Sequence, residues 1–213
     1  VPYEEMPFLY NPESGIISTA NNKIIDDKFP YYISGLWADP SRAKRIKNRL
    51  NQEELLTLGD MRSIQLDQTN EFAKEVVPLI LDRGAGKYNT GTQRAVKFLK
   101  DWDFVEDVNS EAGLVFHTLI SELIKNIYKD EMELIGDEYY KAYSGLKYIT
   151  NRKLRELLRG EYSSWVDNID TKDKVETIDD LVVSSFKDTY KYIAATYGDN
   201  WSNWKWGDAH SLT

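Results

Sequence analysis

The 213-residue chain contains no cysteine and two histidines, His117 and His210. Without a thiol there is no disulfide, no thiolate zinc site and no Cys nucleophile. His117 falls in an apolar helical stretch, which favours a hydrogen-bonded structural histidine over a ligand or base. His210 lies in the tail, where both readings stay open. Positive charge is in deficit, with 27 Lys and Arg against 35 Asp and Glu, a formal net charge of -8. That excess of negative charge argues against a nucleic-acid binder, which must neutralise phosphates with a basic surface. No apolar run approaches the ~20 residues of a membrane span. Phosphate-binding glycine loops, HExxH and GxSxG are all missing. The acidic pairs Asp26/Asp27 and Asp101/Asp103 have the oxygen chemistry for a hard cation, but adjacent loop carboxylates are usually just solvated.

Aromatic residues are plentiful: 14 Tyr, 7 Phe and 6 Trp. In a helical protein such side chains mostly fill or anchor the core. The apolar period is helical over most of the chain. Asp39 and Pro40 open a helix running to about Leu50, with Asp as cap and Pro at the first helical position. A long helix is expected over about 60–82, kinked or broken near Pro78. Ala95, Phe98, Leu99 and Trp102 share one helical face, as do Ala112, Phe116, Leu119, Leu123 and Ile127. Two shorter helices follow, at about 130–143 and 146–159, the second closed by Gly160. Thr177 and Asp180 make a capping-box start for the last helix, which stops at Gly198. The tail from Trp201 to His210 is too short and glycine-broken for a helix. The expected fold class is therefore mainly α, with six or seven helices.

The first 38 residues read differently. Pro2, Pro7 and Pro12 discourage helix. Asn11-Pro12-Glu13-Ser14-Gly15 is turn chemistry, and Ile16-Ile17-Ser18-Thr19 is β-rich. Asn21 and Asn22 follow at the end of this short strand. Two asparagines there have a plain reading as a turn, since Asn tolerates the left-handed region. They have a chemical reading too, as a rigid side-chain amide aimed at the oxygen of a tetrahedral intermediate. Arg42 is either a solvated helix-face charge or a fixed guanidinium that orients an oxygen.

The order Pro2-Tyr3-Glu4-Glu5-Met6-Pro7, Asn11-Pro12 with Gly15, Ala20-Asn21-Asn22, Phe29-Pro30, Trp37 and Arg42-Ala43 with Arg45-Ile46 resembles the β-subunit of penicillin acylases. These include penicillin G, cephalosporin and acyl-homoserine-lactone acylases. The resemblance continues through 99–103, through Ser163-Ser164-Trp165-Val166-Asp167 with 176–180, and through 197–210. It implies an N-terminal nucleophile hydrolase with an αββα sandwich. In it residues 1–38 are a strand-and-loop segment of the sandwich and residues 39–213 a helical domain. The implied reaction is hydrolysis of linear side-chain amides, such as those of penicillins, cephalosporins or N-acyl homoserine lactones, through an acyl-enzyme on an N-terminal Ser. The resemblance assigns oxyanion stabilisation to Asn21 and positioning to Arg42. The partners it implies are the remainder of an α/β heterodimer and a small amide substrate, with neither nucleic acid nor membrane. Family members are often exported, which would mean a periplasmic or extracellular setting. No cofactor is implied for these residues. A calcium-binding Asp found in some members would fall near Ile33, so no calcium ligand is carried over. The nucleophile would lie upstream of Val1, and the chain is expected to be an internal fragment, inactive alone. The alternative is a non-catalytic helical scaffold or recognition domain, its Trp-rich tail binding a sugar or a partner.

Overall fold

The computed structural model describes residues 1–211. Nine α-helices, three short 3-10 turns and no strand are present among them, so the chain is mainly helical. It divides into two compact units, Val1–Glu71 and Phe72–Thr213.

The first unit is loop-rich. A 3-10 turn at Tyr3–Glu5 precedes a long irregular stretch, then α1 (Ser41–Leu50) and α2 (Leu58–Gln65). Asp39 starts α1 by accepting the Ser41 N–H at 2.9 Å. In α2, Thr57 accepts the Asp60 N–H at 3.2 Å while Asp60 accepts the Thr57 N–H at 2.8 Å, a reciprocal cap. Ile16–Thr19 form no strand; a strand that short needs a neighbour to pair with. The unit is held by charge. Asp67 accepts from Arg45 Nη2 at 2.7 Å, from Arg49 Nη1, and from the Thr69 N–H at 2.9 Å. Burial pushes the Asp67 carboxyl up, but the hydrogen bonds from Arg45 and Thr69 outweigh it and hold the group well below the usual carboxylate range.

That network explains a difference from the expected 60–82 helix. The chain breaks at 66–70, where Asp67 turns to meet two arginines of α1, and α3 (Glu71–Arg83) then runs through Pro78 without interruption. From α3 on come α4 (Thr90–Lys100), α5 (Glu111–Glu133), α6 (Asp137–Ser144), α7 (Lys147–Leu158), α8 (Ile178–Tyr197) and the single turn α9 (Trp206–Ala209). The divided long helix and α9 account for nine helices where six or seven were expected.

The core of the second unit centres on α5, which packs chiefly on α8 and also on α6, α4 and α9. The expected α5 stripe is buried from Ala112 through Ile127, and Val115, Ile120 and Ile124 are buried as well. This helix is therefore enclosed on more than one face. Asn89, Ser110 and Thr177 cap α4, α5 and α8 through their side chains. α6 starts only at Asp137, because α5 continues to Glu133 and Gly136 then turns the chain at φ 138°. No described helix is long and apolar enough to cross a membrane.

Candidate functional site

Asn21 and Arg42 lie 21 positions apart, and the fold of the first unit brings them into contact. Arg42 Nη2 donates to Asn21 Oδ1 at 3.0 Å and to the Ala20 carbonyl at 3.0 Å. The Ala38 N–H donates to the Asn21 carbonyl at 2.8 Å. Asn22 closes the turn from the other side: its Oδ1 accepts the Ala20 N–H at 3.1 Å and its Nδ2 donates to the Lys23 carbonyl at 3.0 Å. Between these ties Asn21 sits at φ 60°, a left-handed conformation that Asn tolerates better than most residues. Ala20, beneath it, is buried.

This geometry fixes more than position. A guanidinium only donates, so the amide atom facing Arg42 must be the oxygen. The Asn21 Nδ2, with two N–H groups, is left directed elsewhere and donates to no other described residue. Asn21 and Arg42 are both exposed, and the amide oriented this way offers two N–H donors to an electron-rich oxygen. The turn and chemical readings of Asn21-Asn22 are thus compatible, since the turn is what holds the amide. Asn22 and Ala38 complete the ties, and sequence reasoning gave them no separate role. An Asn two residues after Ala20 is a readable local-turn signal, whereas the closure by Ala38 depends on the fold.

The other candidates have structural partners. His117 is half-buried, with Nε2 at 2.5 Å from Glu106 Oε1, and stacks on Trp206 at 4.1 Å between ring centroids. It is hydrogen-bonded as expected, but at the edge of the core. His210 stacks on Trp206 as well, at 4.9 Å. Asp27 pairs with Lys23 and Asp26 accepts the Lys28 N–H. Asp101 pairs with Lys97, and Asp103 accepts the Val105 N–H. No group of three or more potential metal-binding side chains forms a site among the described residues. The Trp-rich tail turns inward: Trp204 is wholly buried, donating from Nε1 to the Gly198 carbonyl at 2.9 Å, and Trp201 stacks on Tyr190. It contains a 3-10 turn and α9, where no helix was expected. Trp206 initiates α9 through its N–H bond to Ser110, and the Gly207 N–H bonds Val108, so contacts with the start of α5 supply what local propensity lacks.

The penicillin amidase family model matches residues 1–213. The chain belongs to that family. It is 23% identical to Penicillin G acylase of Escherichia coli over 232 aligned positions, covering 96% of this chain and 27% of that protein. It is 23% identical to the acyl-homoserine lactone acylase QuiP of Pseudomonas syringae pv. tomato, covering 96% of this chain and 26% of the relative. A shorter match, 36% identical over 67 residues, is to Penicillin acylase 2 proenzyme of Pseudomonas sp. (strain SE83), covering 32% of this chain. The chain thus spans about a quarter of the length of the first two relatives. Membership makes it part of an acylase and amidase family.

Proposed function

We propose that the first unit forms one wall of the active site of an amidohydrolase that cleaves linear amides through an acyl-enzyme. The observation that carries this is the Arg42 contact to Asn21 Oδ1, which leaves the Asn21 Nδ2 as a fixed donor. Asn21 donates to the oxygen that gains charge as the amide carbonyl becomes tetrahedral. Arg42 fixes the amide's orientation before substrate arrives, so no reorganisation is needed at the moment of reaction. The nucleophile and its base, an N-terminal Ser and its own amine in the family pattern, come from sequence outside these 213 residues. A free α-amine has a pKa near ~8, suited to taking a hydroxyl proton near neutral pH. The great length of the relatives beside this chain supports that division of labour.

In this reading residues 1–38 add a strand and loops to an αββα sandwich, with Ile16–Thr19 pairing there, and residues 39–213 form the helical part. The remainder of an α/β heterodimer is the partner, and the 213 residues alone do not turn over substrate. The names of the relatives point to penicillins or N-acyl homoserine lactones as substrates.

Asn21→Ala in the whole enzyme tests the assignment. The self-cleavage by which precursors of the family pattern free the N-terminal Ser is expected to continue while kcat falls by about 10²–10³-fold, the usual cost of one oxyanion donor. Turnover at the wild-type rate would remove Asn21 from the mechanism.

A further inference from the structure

A cleft in the second unit has no part in the reading above. It has a volume of about 330 Å³, within the range of small-molecule sites. The end of α5 supplies Tyr128, α6 supplies Tyr143, α7 supplies Lys153 and Glu156, and the segment after α7 supplies Glu161, Tyr162 and Trp165. Tyr128 lies edge-on to Tyr143 at 4.8 Å between centroids and tilted to Trp165 at 5.6 Å. Inclined rings of this kind make a corner rather than a flat stack.

The charges of the wall are unequal. Lys153 Nζ is bound to Glu156 Oε2 at 2.5 Å and lies 3.8 Å from Glu161 Oε1. One ammonium therefore faces two carboxylates. Lys153 is already committed to Glu156, and the Glu161 side chain is the less engaged of the two acids, 54% exposed. An anionic guest would meet excess negative charge and a cation already paired. A purely apolar guest would make no use of the Glu161 carboxylate, whose contact with Lys153 is long and open to water. An organic cation meets both features, because aromatic faces attract positive charge and a rim carboxylate balances it.

We propose that this cleft binds an alkylammonium group, its alkyl carbons against Tyr128, Tyr143, Tyr162 and Trp165 and its charge beside Glu161. The chemistry is that of an aromatic cage with an acidic rim, and it is independent of the Asn21 assignment.

Calorimetric titration of the intact chain with choline tests it, alongside 3,3-dimethylbutan-1-ol, which replaces the charged nitrogen by carbon at nearly the same shape. Saturable choline binding is expected in the millimolar range or tighter, about tenfold stronger than for the neutral alcohol. Tyr162 is 89% exposed, so Tyr162→Ala and Glu161→Gln remove cleft groups with little demand on the fold. Each is expected to weaken choline binding by about five- to tenfold. Circular dichroism checks that both variants stay folded. The proposal is overturned by equal affinity for the alcohol, by a neutral sugar such as glucose binding as well as choline, by choline binding unchanged in both variants, or by no saturable choline binding.

Discussion

Leu99, Leu119, Leu123 and Phe186 in the second unit are wholly enclosed, together with more than twenty other buried apolar residues. In the first unit Ala20 alone among the described residues is both apolar and buried. There Tyr3, Phe8, Tyr10, Leu55 and Leu58 are each more than 80% exposed. The two units are therefore held by different physics. The helical unit is stabilised by removing apolar surface from water, which tolerates small shifts and conservative exchanges. The first unit relies on directed contacts: Arg45 and Arg49 on Asp67, and Arg42 on Ala20 and Asn21. Such contacts specify geometry sharply and contribute less to stability. Under the proposed role of Asn21, which needs one amide held in one orientation, that arrangement is the one required.

The sharpest way to separate the two modes is in the core. Phe186 is wholly buried with its ring edge-on to Tyr88 at 5.0 Å. Phe186→Ala should cost about 3–5 kcal/mol, read as a lower urea midpoint and faster hydrogen exchange in α5 and α8. A cost below ~1 kcal/mol would show that the enclosed core is not what stabilises the helical unit.

Next in size is the ionic centre of the first unit. The Asp67 side chain is only 6% exposed, and its loss leaves Arg45 and Arg49 without their shared partner. Asp67→Ala should destabilise α1 and α2 by about 3 kcal/mol, with faster exchange there and little change in α5 and α8. Protection lost equally in α5 and α8 would break the contrast drawn above. Because the folded Asp67 pKa is depressed, its contribution is present above the unfolded value near ~4 and fades as pH falls toward the folded one. Acid should therefore loosen α1 and α2, and Asp67→Ala should remove that acid sensitivity.

The smallest effect is a slope in pH within the helical unit. Burial pushes the Glu131 carboxyl up to about 7, aided by a hydrogen bond to Asp130 and the charge of Asp167. Its Oε2 is buried with no hydrogen-bond partner. A raised carboxyl stabilises the fold below its unfolded pKa of ~4.3, and that contribution is lost as pH rises through about 7. Stability should fall by about 1–2 kcal/mol between pH 4.5 and 8 after allowing for solvent screening. Glu131→Gln should flatten that slope in thermal melts, and a slope that persists in the variant would assign it to other groups.

What could be read from the sequence follows the same division. The stripes of α4 and α5 and the Thr177–Asp180 cap were legible because their signals are local and periodic. The break at 66–70 was not, because Asp67 leaves the helical path for arginines 18 and 22 positions earlier. α9 was missed for a related reason, since its first N–H bonds reach back to Ser110 and Val108. Asn21 and Arg42 were picked out by resemblance in motif order, but no pattern in the letters says that one guanidinium nitrogen would meet both Ala20 and the Asn21 side chain.

That double contact has a consequence for selectivity. A primary amide is nearly symmetric in shape, and a half-turn about its last bond exchanges an electron-rich end for an electron-poor one. Arg42 removes this symmetry by accepting only the oxygen as its neighbour. The face of Asn21 presented outward is then the positive end of a dipole. Whether that spot welcomes an anionic oxygen or a cation is decided by a residue on the opposite side of the amide, one that a visitor there need never touch.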